Sequence, residues 1–135
     1  MRTVITYGTF DMFHIGHLRL LRRAKQMGDK LLVGLSTDEF NKRKGKKSVI
    51  PYEQRKEILL SCRYVDGVFP EEGWEQKLKD IKELGANVFV MGMDWAGHFD
   101  DLPCVVAYLP RTEDISTTDL KNKLAYGQSN STPKS

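Results

Sequence analysis

Val4-Ile5-Thr6-Tyr7-Gly8-Thr9-Phe10-Asp11-Met12-Phe13-His14-Ile15-Gly16-His17 runs directly into Leu18-Arg19-Leu20-Leu21-Arg22-Arg23-Ala24. The apolar opening, Val4 to Tyr7, reads as a strand and the closing segment as a helix, so the residues between them form a strand-to-helix loop. That loop carries two glycines and a pair of histidines at i and i+3. Gly8 lets backbone come close to a bound group, and Gly16 does the same just before the helix. The N–H groups of a helix start, with the positive end of the helix dipole, favour phosphate. His14 and His17 can face one ligand near the first turn, where two imidazoles would stabilise charge developing on a phosphate oxygen. Two surface histidines without a role, or a metal pair, are the competing readings. A zinc site needs more than two ligands, and the remaining histidine is His98. Position favours phosphate chemistry, because a parallel α/β sheet binds ligands outside the carboxyl ends of its strands.

Outward from this stretch the chain alternates. The first strand is expected at 2–7 and the first helix at about Gly16 to Met27, with Leu20, Leu21 and Ala24 on one face and Gly28 as its stop. Lys30 to Ser36 is a continuous apolar run of the buried parallel kind. A right-handed strand–helix–strand unit follows as the default. Ser36 to Asn41 begins a short helix or turn in which Asp38 caps the helix or touches a ligand, the cap being the plainer role. Lys42-Arg43-Lys44-Gly45-Lys46-Lys47 reads as a mobile, exposed basic loop: a solvated surface, a non-specific nucleic-acid contact, or an arm that folds over anionic substrates.

Pro51 opens the next helix, whose expected apolar face is Ile58, Leu59 and Cys62, with Arg55 and Arg63 near its ends. Strand three is expected at 65–69, ended by Pro70. A helix from Trp74 to Leu84 turns Trp74, Leu78 and Ile81 inward and stops at Gly85. Strand four is expected at 87–91, followed by Gly92-Met93-Asp94-Trp95. A loop at 96–103 leads to strand five at 104–109. Pro110 to Thr118 then leads into a last helix, Asp119 to Ala125; its hydroxyls are ordinary N-caps or, with Arg111, a triphosphate seat.

The resulting expectation is an α/β fold: one doubly wound, Rossmann-like domain at 1–126, with a five-stranded parallel sheet, helices on both faces and a disordered tail at 127–135. A length of 135 residues and 40% hydrophobic content suit one ordinary core. The net charge of +3 does not mark a dedicated nucleic-acid binder. No apolar run reaches about 18 residues, so no membrane span is expected. The polar-flanked N-terminal strand argues against a signal peptide. Cys62 and Cys104 read as reduced thiols of a cytoplasmic protein, a disulfide between them being the minor alternative.

Gly-Thr-Phe-Asp at 8–11, His-x-Gly-His at 14–17 and Arg-Thr-x-x-Ile-Ser-Thr-Thr at 111–118 together resemble the cytidylyltransferases of the nucleotidyltransferase superfamily. Ser-Thr-Asp-Glu-Phe-Asn at 36–41, Tyr-Glu-Gln-Arg-Lys at 52–56, Arg-Tyr-Val-Asp at 63–66 and Val-Phe-Val-Met-Gly-x-Asp-Trp at 88–95 are similar to the branch that acts on glycerol 3-phosphate. The similarity runs from residue 3 to about residue 125. It implies a homodimer, Mg²⁺ with Asp11 as a ligand, and the reaction of CTP with glycerol 3-phosphate to give CDP-glycerol and pyrophosphate. It further implies that His14, His17, Lys44 and Arg111 are catalytic. Gly8, Thr9, Phe10, Gly92, Asp94, Arg111, Thr112, Ile115, Ser116, Thr117 and Thr118 would join the two histidines around CTP. Lys44, Lys46, Arg55, Arg63 and Lys77 would hold the acceptor. Asp114 stands where the family has glycine, and Met93 where a polar residue is commoner. Related readings are a cytidylyltransferase for ribitol phosphate or phosphoethanolamine, an ATP-dependent FAD synthase, and a nucleotide-sensing module.

Overall fold

The computed structural model describes residues 1–110; the expected last helix and the tail lie outside the described residues. Within them the elements alternate as expected: β1 (Thr3–Gly8), α1 (Ile15–Lys25), β2 (Lys30–Ser36), α2 (Asp38–Arg43), α3 (Tyr52–Leu60), β3 (Gly67–Glu71), α4 (Gln76–Leu84), β4 (Val88–Gly92) and β5 (Val105–Leu109). The five strands form one sheet in the order β3-β2-β1-β4-β5. Every strand pair is parallel. Among the described residues no helix is long and apolar enough to cross a membrane.

Alternation along the central strands builds two cores. Val4, Leu31, Val33, Leu35, Val88 and Val90 face Leu21 and Ala24 of α1 and Leu59 of α3. Ile5, Tyr7, Phe89 and Met91 face the other way, onto Ile81 of α4. The period of two in the strands therefore places helices on both faces of the sheet. Gly34 is required where Tyr7 crosses it: a Cβ there would lie 2.4 Å from the ring.

Strand order reverses direction between β1 and β4, which defines the switch point of a doubly wound sheet. β1 stays in register with β2 as far as Gly8 and Leu35. Its register with β4 ends at Thr6 and Val90. Beyond that point the two strands part and a cleft opens between their carboxyl ends.

Several expectations are corrected by packing. Pro70 does not end β3 but lies inside it. β3 is an edge strand, where the missing N–H can face away from the ladder. In α3 the buried residues are Arg55 and Leu59, while Ile58 is 43% exposed. In α4 they are Lys77 and Ile81, while Trp74 precedes the helix and, like Leu78, is exposed. In both helices a cation four residues before an aliphatic side chain takes the inward position. Asp38 does not cap α2; Thr37 does, its hydroxyl accepting the Phe40 N–H at 3.1 Å. α2 also runs into the basic stretch, so Lys42 and Arg43 are helical rather than loop.

Candidate active site

The switch-point cleft has a volume of about 1170 Å³. Gly8, Thr9, Phe10, Asp11, His14 and His17 line one wall, Lys44, Lys46 and Lys77 another, and Gly92 and Asp94 the end of β4. Arg55 and Arg63 are not among the lining residues. Arg111, Thr112, Asp114, Ile115, Ser116, Thr117 and Thr118 lie outside the described residues.

The histidine pair is built by the start of α1. His14 is its N-cap, and its Nδ1 accepts the Gly16 N–H at 3.0 Å. His17, three positions on, returns the bond: its Nδ1 accepts the His14 N–H at 3.2 Å. This is a capping box made of two imidazoles. The rings stack with centroids 4.0 Å apart. Because both Nδ1 atoms accept, the proton of each neutral ring resides on Nε2, so each ring is a donor there. Burial lowers the His14 pKa. Burial and the neighbouring His14 push His17 down to about 4, against an opposing pull from Asp11. Both rings are therefore neutral near pH 7 before an anion arrives.

The loop between β1 and α1 is held in an unusual shape. Phe10 and Met12 have positive φ of 50° and 51°, which costs non-glycine residues about 1–2 kcal/mol each. The Phe10 ring packs edge-on to His17 at 5.3 Å and covers Gly8, where a Cβ would come within 2.8 Å of it. Glycine at position 8 thus makes room for the aromatic ring that supports the histidines.

Arg55 explains how the loop is held, and it corrects the expectation that this residue meets the acceptor phosphate. Its side chain is 1% exposed. Nε donates to the Ile50 carbonyl at 2.8 Å. Nη1 donates to the carbonyls of Thr9 and Ser36 at 2.9 and 2.8 Å, and Nη2 to Asp38 Oδ1 at 2.6 Å. The guanidinium fork is spent on backbone and one carboxylate. Burial alone would raise the pKa of Asp38, but the Tyr52 N–H and Arg55 outweigh it and lower it.

Asp11 is likewise committed. Its two oxygens accept the N–H groups of Val49 and Ile50 at 2.7 and 2.9 Å. Among the described residues no three His, Cys, Asp or Glu gather as metal ligands. Asp11 thus fits a loop tether rather than a resident Mg²⁺ site. The same bonds, with Gly45 at φ 77° and the Lys46 N–H on the Asn41 carbonyl at 2.8 Å, show that the basic segment is anchored rather than loose.

Lys77 lines the cleft but its charge is matched by Glu71, 2.7 Å away, with the Tyr7 ring 4.7 Å from its ammonium. Lys44 lies over the Phe40 ring at 4.4 Å. Burial lowers the Lys44 pKa, Glu71 opposes this, and Lys46, Lys77 and Arg55 add to it. Arg63 stacks beside Tyr64 and lines a separate apolar groove with Phe13, Leu18 and Ile58. Sequence reasoning missed Asn41, Glu71 and the cleft aromatics Trp74 and Trp95. The two tryptophans carried a legible signal, since large aromatics beside a strand end are exposed here; Asn41 carried none.

A switch-point cleft with donors at a helix start on one wall and lysines on the other defines a nucleotidyl-transfer site on a Rossmann-like sheet. The chain belongs to the cytidylyltransferase-like family, whose sequence profile matches residues 5–123. It is 59% identical over 130 residues to the glycerol-3-phosphate cytidylyltransferase of Staphylococcus aureus (strain NCTC 8325 / PS 47), covering 95% of this chain and 98% of that protein. It is also 59% identical over 127 residues to the enzyme of the same name from Bacillus subtilis (strain 168), covering 93% and 98%. In fold it is similar to a lipopolysaccharide core biosynthesis protein from Thermoplasma volcanium GSS1, with a TM-score of 0.69 at 22% identity over 83% of this chain and 97% of that one.

Two measurements test this description. Asp38 keeps 45% of its side chain exposed, so solvent screens the Arg55 ion pair and the orphaned carbonyls carry more of the loss. Arg55→Ala is expected to lower stability by about 3 kcal/mol, on the scale of about 1 kcal/mol or more for each acceptor left unpaired, read as a shift of the urea midpoint. His17, with its pKa depressed in the fold, is neutral there while the unfolded chain takes up a proton near pH 6.5. Its contribution to stability is therefore full above about pH 6.5 and is lost as pH falls toward 4. Urea midpoints should fall more steeply over that window in the wild type than in His17→Gln.

Proposed function

We propose that the protein transfers CMP from CTP to sn-glycerol 3-phosphate, giving CDP-glycerol and pyrophosphate. The observation that carries the chemistry is the stacked pair of neutral imidazoles at the start of α1, each with Nε2 as its protonated nitrogen. What supports glycerol 3-phosphate as the acceptor is near full-length identity to enzymes named for it.

The reaction needs little from the protein beyond positioning. A phosphate oxygen of the acceptor is already anionic and attacks the α-phosphorus of CTP in line. A new P–O bond forms as the bond to the β-phosphate bridging oxygen breaks, and pyrophosphate leaves with that electron pair. No base is required. His14 and His17 donate hydrogen bonds to phosphate oxygens as charge builds toward the leaving group. Lys44 and Lys46, across the cleft, neutralise and orient the phosphates. The backbone and carboxylate at Gly92 and Asp94 read the base. Arg111 and Ser116 to Thr118 complete the triphosphate seat in this reading. Mg²⁺ enters with the triphosphate as part of the substrate, a mode in which this ion keeps most of its ligands as water and phosphate.

In this reading the protein acts in the cytoplasm, where CTP is made, and as a homodimer. The free thiols of Cys62 and Cys104 support the first. The apolar groove lined by Phe13, Leu18 and Ile58 supports the second; sedimentation of the purified chain is the check.

Pyrophosphate release with CTP across glycerol 3-phosphate, ribitol 5-phosphate and phosphoethanolamine should be fastest with glycerol 3-phosphate. UTP should fail, because it presents a carbonyl where cytosine has its amine and leaves the acceptor at the end of β4 unpaired. Comparable rates with UTP, or a different preferred acceptor, would contradict the reading. His17→Ala should lower kcat by about 10²–10³-fold, the scale of one lost transition-state donor, in a protein that still melts cooperatively.

A further inference from the structure

A set of hydrogen bonds joins two walls of the cleft, and Asn41 is its centre. Asn41, in α2, is 1% exposed although it sits against the cleft. Its Oδ1 accepts the Ser36 hydroxyl at 2.7 Å and the Thr9 hydroxyl at 3.2 Å. Its Nδ2 donates to Ser48 Oγ at 2.6 Å. Ser48 lies near enough to Asp38 to help lower its pKa. Asp38 accepts from Arg55, and Arg55 returns to the Thr9 carbonyl. The Asn41 carbonyl meanwhile accepts the N–H groups of Lys44 and Lys46 at 3.1 and 2.8 Å.

One residue therefore touches the histidine loop, the end of β2 and the backbone of two cleft lysines, Lys44 and Lys46. The direction of the bonds selects its chemistry. The group at position 41 donates to Ser48 while accepting from Thr9 and Ser36. An amide does both. Lys44 is drawn by Glu71 and repelled by Lys46, Lys77 and Arg55, so its position depends on how the arm's backbone is held.

We propose that Asn41 is a positioning residue for nucleotidyl transfer, setting the Lys44–Lys46 arm at a fixed distance from the His14–His17 pair. It does not touch substrate. It acts through the lysines, whose placement matters because a misplacement of about 1 Å can cost about 10²-fold in rate. The inference rests on the transfer reaction proposed above.

Ser48→Ala cuts the Asn41–Ser48 bond without changing charge or the amide. Amide hydrogen exchange at Lys46, Val49 and Ile50 should quicken at least about tenfold, the exchange of a segment released from its tethers. The kcat with CTP and glycerol 3-phosphate should fall about 10–100-fold, with melting lowered by no more than a few degrees. Ser48→Thr keeps the hydroxyl and should restore both readouts. Asn41→Ala should behave like Ser48→Ala, and the double variant should be no slower than the worse single, since both cut one link. If Asn41→Ala fails to fold, Ser48→Ala and Ser48→Thr decide alone. A kcat within twofold of wild type in folded Ser48→Ala, or losses that multiply in the double variant, would overturn the proposal. A wild type that releases no pyrophosphate with glycerol 3-phosphate overturns the acceptor assignment instead, and exchange then decides the tether: unchanged rates in Ser48→Ala sink it.

Discussion

The fork of Arg55 is the constraint on which the site depends. Its four hydrogen bonds reach three backbone carbonyls and one carboxylate, so the segment leaving β1, the end of β2 and the segment entering α3 meet at one planar cation. A lysine has the charge but not the geometry, because one ammonium cannot meet carbonyls fanned around a plane. The cost of placing this cation in the interior is offset by hydrogen bonds from four of its five N–H groups. What it stabilises is local: the Thr9 carbonyl it grips precedes the left-handed Phe10, whose ring braces His17.

The histidines serve structure and chemistry with different atoms. Their Nδ1 atoms satisfy backbone N–H groups at the start of α1, a place where unpaired donors are normal. That use decides the tautomer and so leaves Nε2 as the donor of each ring. Burial keeps the pair neutral, which removes the repulsion two imidazoliums would feel at a centroid distance of 4.0 Å. A neutral donor is strengthened as charge develops on its partner without binding the ground state as tightly as a full cation would.

Much of the frame was legible because it is written in short-range pattern. The strands at β1 and β4, the glycine stop at Gly85, and the apolar run of β2 each follow from local pattern. So did the placement of the histidine loop outside the first strand. The errors share one cause. Arg55 and Lys77 occupy inward helical positions next to Leu59 and Ile81. A hydropathy pattern sends such cations to the surface and pulls Ile58 and Leu78 inward in their stead. Pro70 misled for a similar reason: whether a proline ends a strand depends on whether that strand lies at an edge.

The sequence by itself determined the parallel α/β alternation, the phosphate-directed loop and, through its motifs, the family. These depend on residues close together in the chain, where spacing maps directly onto geometry. Only the tertiary structure decided which polar groups hold the site and which remain to act in it. The sequence left Asp11 open as a metal ligand, Asp38 as a cap or a ligand contact, and Arg55 as a surface charge or a phosphate contact. Their partners lie as far as 46 residues away, and a carboxylate or guanidinium carries no local sign of whether its bonds are already taken. Asn41 was silent for the same reason: the acceptors and donors that define it come from the ends of two strands and a loop, brought together only when the sheet has formed.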